Sequence, residues 1–339
     1  MNARIQNTDN FAGSGYTTLM SNFSQWWQRQ LDMDRLRDNY HYNGVFYTWN
    51  RRSARNARPQ YWDAPHYEQY QNTNNNKNST YSGNFGINYD IMEGLSANFE
   101  VKRRAYTRSS WGRGFIGQNT LSTQASYNEG TYSSENNEFA ARLNYEKKIT
   151  SDFDVSAILG YGAGQNKTIS TSASTSGGLA IPDFYTVANS KDKPNYGSSK
   201  YNNSRISAYG LLSIGWNSML YLDGSYRLDW GSTAAADNNR IETYGLSGSF
   251  VFNTLVDQDW LSFGKLRVNY AEAPIFPGTY ATSPTYGSST AYGSLAALNV
   301  PNTLANPNLT GGMRTELEYG VEMKFMKNRL GLDFTYFDR

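Results

Sequence analysis

From Tyr81 onward the chain reads as pairs of runs in which every second residue is apolar. In 81–89 the odd positions are Tyr81, Gly83, Phe85, Ile87 and Tyr89, while Ser82, Asn84, Gly86 and Asn88 fill the even ones. Successive side chains of a strand point to opposite faces, so each run makes one greasy face and one wet face. Leu95, Ala97, Phe99 and Val101 continue the pattern against Ser96, Asn98, Glu100 and Lys102. It returns in 139–145 with 153–161, where only Ile158 is out of place, and in 206–216 with 220–230, where the charges Asp223, Arg227 and Asp229 share one face. Two further pairs, 244–252 with 266–270 and 317–325 with 330–336, bring the total to about ten strands.

A sandwich of soluble sheets alternates in the same way, so strand length and loop asymmetry must decide. The runs are roughly 9–12 residues, which suits a tilted strand crossing a bilayer and exceeds the usual 5–6 of globular sheets. Within pairs the connections are short: 90–94, 148–152, Asn217 with Ser218, 253–260 and 326–328. Between pairs they are mostly long: 106–135, 164–203, 231–239 and 272–312. Short periplasmic turns and long extracellular loops predict an all-β, antiparallel transmembrane β-barrel in the outer membrane. Residues 80–339 would supply the ten strands as five hairpins, and residues 1–79 an extracellular loop or partial barrel segment with an aromatic-rich stretch. Tyr89, Tyr145, Tyr161, Trp216, Trp230 and Tyr319, near strand ends, suit aromatic girdles at the headgroup level.

Hydrophobic residues make up only 38% of the chain while aromatics reach 15%, with 27 Tyr. The mean hydropathy is −0.68. A wall with one lipid-facing side and polar loops has this composition, and no 18-residue apolar run offers a helical span. Thirty-one basic and 29 acidic residues leave a net charge of +2, no electrostatic case for nucleic acid. The basic clusters at Arg51, Arg52, Arg55 and Arg58 and at Lys102, Arg103, Arg104 and Arg108 read as loop or lumen charges. With no Cys and only His41 and His66, neither a thiolate site, a zinc site nor a His-centred triad is indicated. No catalytic set, metal site or cofactor is predicted, and the chain is not read as an enzyme. Gly112–Gly117 satisfies G-x-G-x-x-G but lacks the strand-turn-helix setting and the later acidic residue of a phosphate cradle. Asp32, Asp34 and Asp38 lack the glycine and terminal glutamate of a calcium loop.

The stretch after Met1 has no apolar signal region, and the strand 330–337 stops at Asp338-Arg339 without closing a sheet, whose open edge lipid would not tolerate. These ends predict a fragment of a longer protein.

Several motifs, in order, carry a resemblance. Trp49-Asn50 and Tyr61-Trp62-Asp63-Ala64-Pro65-His66-Tyr67, followed by the Asn-rich tract 72–78, are similar to the Trp-Asn … Tyr-Trp-Asp-Asn-Pro-Tyr stretch of SusC/RagA-type TonB-dependent transporters. Tyr226-Arg227-Leu228-Asp229-Trp230-Gly231-Ser232 resembles that family's Arg-x-Asp-Gly-Ser strand end, interrupted by Trp230, and Lys265-Leu266-Arg267-Val268-Asn269-Tyr270 its Lys-Leu-Arg-x-Ser-Tyr strand. Asn306-Pro307-Asn308-Leu309, Thr315-Glu316, Gly320-Val321-Glu322 and Asn328-Arg329-Leu330 follow the family's order toward the Tyr336 strand. The resemblance implies part of a large, 22-stranded barrel without its plug and terminal strands. It further implies uptake of bulky nutrients, usually oligosaccharide or glycan and sometimes peptide, in Bacteroidetes-type bacteria. A SusD-like surface lipoprotein would cap the mouth, and TonB-ExbB-ExbD would act through the absent plug. Two other readings stay open at this stage: a smaller self-contained barrel, such as a porin or outer-membrane enzyme, and a surface β-sandwich adhesin.

Ligand or partner contacts would come from large flat side chains outside strands. Trp26, Trp27, Trp49, Tyr61, Trp62 and Trp111 fit that description, as do Tyr280, Tyr286 and Tyr292 in a Ser/Thr/Gly-rich loop. Packing of loops against one another is the competing account of each. Residues 24–39 are predicted as a short helix with Trp27, Leu31 and Leu36 near one face.

Overall fold

The structure, a computed structural model, describes residues 2–13, 31–39, 50–61, 65–116, 124–253, 255–256, 258–292 and 295–339. Its strands are β1 (Asn2–Gly13), β2 (Arg51–Ser53), β3 (Asn56–Pro59), β4 (Thr73–Met92), β5 (Leu95–Gly114), β6 (Ser126–Lys148), β7 (Phe153–Leu179), β8 (Ser190–Trp216), β9 (Leu220–Gly231), β10 (Arg240–Val251), β11 (Leu261–Ile275), β12 (Gly287–Tyr292), β13 (Leu295–Asn299), β14 (Gly312–Phe325) and β15 (Leu330–Asp338). Two seven-residue helices, α1 (Met33–Asn39) and α2 (Pro65–Gln71), lie between β1 and β4. Of the helix predicted over 24–39, residues 24–30 lie outside the described residues.

Eleven strands form one antiparallel sheet in the order β1-β4-β5-β6-β7-β8-β9-β10-β11-β14-β15, and β2-β3 and β12-β13 are separate two-stranded ribbons. The sheet is open, with β1 and β15 at its edges. Register holds across the wall: Leu95, Tyr145, Ala157, Leu212, Gly224, Leu246, Tyr270 and Leu317 stand side by side on β5 to β14. A slip of one residue anywhere would turn a strand's apolar set to the wet side.

That apolar face has no protein layer against it. Leu222 is 52% exposed, Leu246 65% and Leu332 53%, whereas the buried hydrophobic residues of the described chain are only Ala125, Val187 and Leu261. The other buried side chains include Thr73, Asn75, Asn189, Ser207, Asp229 and Thr243, all polar. A sandwich would bury its apolar faces against each other, so the sandwich reading is excluded. The solvent of this face is hydrocarbon. At its extracellular end this face carries paired polar groups: Tyr226 donates to Glu242 (2.6 Å), Arg240 donates to Glu242 (2.5 Å), and Tyr270 donates to Glu272 (2.6 Å). Tyrosines at that level form the interfacial girdle such walls carry.

Local geometry explains the hairpins. Asn217 and Ser218 have φ of 50° and 55° and Met219 N–H donates to the Trp216 carbonyl at 2.9 Å, a two-residue turn whose left-handed residues match the strand twist. Met326, Lys327 and Asn328 are likewise left-handed between β14 and β15.

Two departures from the sequence expectations stand out. The strands are longer than 9–12 residues: β4 and β5 have 20 each, β6 has 23, and β7 and β8 have 27. Much of the predicted loops 106–135 and 164–203 is therefore strand. Above the bilayer both faces meet water, so the alternation vanishes while the backbone ladder continues. Polar cross-strand pairs such as Thr131 with Thr171 and Ser170 with Ser199, each 2.7 Å, replace apolar ones. At roughly 3.3 Å per residue, the longest strands reach about 90 Å, three times the thickness of the hydrocarbon core. The second departure is β1, which pairs Ile5 with Tyr81 and Ala3 with Gly83, and whose remaining polar residues hid it from a pattern search.

Candidate functional site

At the extracellular end the β7–β8 connection is tied down by one amide. Asn189, 6% exposed, donates to the carbonyls of Ile181 (2.8 Å) and Phe184 (2.7 Å) and accepts from Ile181 N–H (3.0 Å). Asn189→Ala should leave these groups unpaired at a cost of about 1–3 kcal/mol to the loop, read as faster proteolysis within 180–189 while the barrel stays folded.

Beside it, the Tyr185 ring packs on Phe115 with centroids 5.6 Å apart, and the Arg113 guanidinium lies 5.6 Å from the Tyr185 ring centre. Arg113 Nε donates to Thr73 Oγ1 at 2.7 Å, and Phe115 N–H donates to Asn72 Oδ1 at 2.8 Å. The Tyr185 hydroxyl is buried and has no hydrogen-bond partner among the described residues. Burial first, then the nearby Asp183, pushes its ionisation up to about 12, against the opposing pull of Arg113. In the unfolded chain a tyrosine ionises near 10. The folded state thus holds this proton through a range where the unfolded state has lost it, so stability is full below pH 10 and is lost as pH rises from about 10 to about 12. Tyr185→Phe should erase that alkaline loss without destabilising the loop at neutral pH, since it removes an unpaired buried hydroxyl. Loop unfolding followed by hydrogen exchange between pH 9 and 12 checks both.

The inner face of the wall is polar and densely functional. One row sets Lys102, Glu138, Gly164, Arg205 and Gly231 side by side on β5 to β9. The next sets Glu100, Ala140, Gly162, Ser207 and Asp229, and a third sets Asn98, Arg142, Gly160, Tyr209 and Arg227. All of these but Asn98, Gly160, Asp229 and Gly231 border a cavity of about 390 Å³. Asp229 is 0% exposed and is clamped by Arg227 through two bonds, Nε to Oδ2 at 2.6 Å and Nη2 to Oδ1 at 2.9 Å. The Arg227 guanidinium also covers the Tyr209 ring at 5.7 Å. Glu100 and Lys102 pair at 3.0 Å. Phe276, just after β11, folds inward: its ring lies 4.7 Å from the Arg205 guanidinium and so close to Gly231 that a Cβ there would strike it. Lower on the same face, Ile158 pairs with Leu211, so the residue out of pattern in the sequence belongs to a small apolar patch in a polar wall.

The aromatic candidates fare differently. Trp26, Trp27, Trp49 and Trp62 lie outside the described residues. Tyr61 is exposed beyond β3. Trp111 is not in a loop: it belongs to β5, on the outward-facing side, with its ring 6.1 Å from Phe11. Tyr280 and Tyr286 are exposed, Tyr280 lying 6.5 Å from Tyr201, and Tyr292 ends β12. None of Tyr61, Trp111, Tyr280 and Tyr286 borders the inner-wall cavity. Sequence reasoning missed the residues that do. The signal that could have found them is the run Gly160, Gly162, Gly164 at alternate positions of β7, beside charges already known to share one face. Among the described residues, no cluster of three His, Cys, Asp or Glu side chains could hold a metal ion.

A wall with hydrocarbon on one side and a charged, hydrated lining on the other defines an outer-membrane β-barrel. The profile of the family described as "TonB dependent receptor-like, beta-barrel" matches residues 24–339, and the chain belongs to that family. Its fold is similar to "Structure of the RagAB peptide transporter", with a TM-score of 0.73 at 16% identity over 86% of this chain and 32% of that one. It is also similar to the RagAB peptide importer in the "open-open" state, with a TM-score of 0.70 at 17% identity and the same coverage. The chain thus spans about a third of these relatives' length, 32%. No curated protein matches.

Proposed function

We propose that this chain forms part of the wall of a TonB-dependent importer that carries bulky nutrients, oligosaccharide or peptide, across the outer membrane. A SusD-like surface lipoprotein would seat on the tall extracellular extension of β4 to β8, and energy would reach the cargo through TonB-ExbB-ExbD. The observation that carries this reading is the contrast between the two faces: exposed Leu222, Leu246 and Leu332 outside, and ordered rows of Glu100, Lys102, Glu138, Arg142, Arg205 and Arg227 inside. A charged lining suits an aqueous conduit, and large barrels hold a filled lumen. The family membership and the RagAB-like fold support transport as its work, not bond breaking. Deleting the gene of the intact protein should abolish growth on a defined peptide or glycan mixture as sole nutrient and restore it on complementation. Unchanged uptake of every nutrient class by the deletion strain would sink the reading. Purification in mild detergent should bring down a surface lipoprotein in stoichiometric amount.

A further inference from the structure

Three successive inward positions of β7 carry no side chain, and their surroundings differ. A Cβ on Gly160 would strike the Tyr209 ring, so packing demands glycine there. A Cβ on Gly162 would come 2.9 Å from Ser207 Oγ. Above Gly164 the nearest atom is the Asn137 carbonyl oxygen, at 4.0 Å. Packing does not require glycine at 164, and the space it leaves open is part of the cavity of about 390 Å³. Arg205 on β8 stands beside Gly164 and Arg142 on β6 beside Gly160, on strands about 10 Å apart and staggered by four residues along β7. Neither forms an ion pair among the described residues, while the other charges nearby are engaged: Arg227 with Asp229, Lys102 with Glu100, and Glu138 accepting from Asn136 at 3.0 Å. The Arg205 guanidinium lies over the Phe276 ring, 4.7 Å from its centre.

We propose that this glycine trough is a binding subsite for the carboxylate groups of an acidic peptide, held by Arg142 and Arg205. A guanidinium fork matches a carboxylate bidentately, and the open position at Gly164 lets a peptide main chain approach the wall beside Arg205. A neutral sugar is a poorer fit, because it brings no charge to the two guanidiniums, and Tyr209 is already packed on Gly160 and under the Arg227 guanidinium. The assignment rests on the import reading for its physiological sense, yet binding is measured without transport.

The test uses the intact transporter in detergent and fluorescence anisotropy with three dye-labelled probes: a short glutamate peptide, its glutamine counterpart with an amidated end, and a galacturonate oligosaccharide. The glutamate peptide should bind best. Arg142→Gln and Arg205→Gln should each weaken it about tenfold or more and leave the glutamine peptide unchanged, with the lysine variants intermediate. Gly164→Leu should weaken the glutamate peptide by obstruction. Assembly is verified by the heat-dependent shift of the folded band on a gel; if one arginine variant fails to assemble, the other and Gly164→Leu carry the test. Equal binding of both peptides, indifference to both arginines, or galacturonate binding with the same arginine dependence would overturn the proposal. Unchanged uptake of every nutrient class by the deletion strain, while the purified protein still discriminates the probes, would overturn the import reading alone.

Discussion

An arginine in place of Leu246 should destabilise the assembled barrel by about 2–4 kcal/mol, whereas an arginine in place of Ser247, the next residue on β10, should cost a small fraction of that. Leu246 stands mid-height on the outward face, between Gly224 and Tyr270, and 65% of it is uncovered by protein. A guanidinium there must enter hydrocarbon, and neither of its neighbours in the row is a carboxylate. Ser247 points the other way and donates to Asp223 Oδ2 at 2.8 Å. An arginine at 247 would lose that hydroxyl bond and gain an ion pair with the same carboxylate beside lumen water. The contrast is therefore a property of the solvent on each face and not of β10 itself. The measurement is the folded fraction of the intact protein across a urea series in phospholipid vesicles. Equal losses for the two variants would mean that both faces meet the same medium, and the membrane assignment would fall.

What could be read from the sequence was what the bilayer enforces. Leu220 to Trp230 and Tyr244 to Phe252 alternate because one face of each must be apolar, and the turn at Asn217-Ser218 announces itself because few residues tolerate two left-handed positions in a row. Where the bilayer stops, so does the signal. Ser126 to Asn136 and Gln165 to Leu179 have water on both faces, so nothing in their polarity separates ladder from loop. The charges on one face of β9 were visible, but not that Arg227 reaches along its own strand to clamp Asp229, since side chains two apart share a face without any pattern saying that they bond. Aromatic residues were chosen as binding candidates for lying outside strands. Trp111 fails that criterion because the strand signal ended, at Val101, well before the strand did.

The clamp gives the last and sharpest asymmetry. Asp229 is fully enclosed and Arg227 is its only hydrogen-bond partner among the described residues, while the Arg227 side chain keeps 40% of its surface open to the lumen. Arg227→Ala would leave a buried anion with no counter-charge, and breaking a buried pair in this way costs about 3–5 kcal/mol. It would also uncover the Tyr209 ring. Asp229→Asn leaves an arginine that can turn toward water and an amide that still fits, so its cost should be nearer 1 kcal/mol. Removing both charges, Arg227→Ala with Asp229→Ala, should recover much of what Arg227→Ala alone loses, because the stranded carboxylate is gone. Thermal denaturation of the three variants, followed by the heat-dependent gel shift, orders them directly. If Asp229→Asn proved the worst of the three, the arginine would be the buried member of the pair, and the inner wall would be drier at this height than its open cavity indicates.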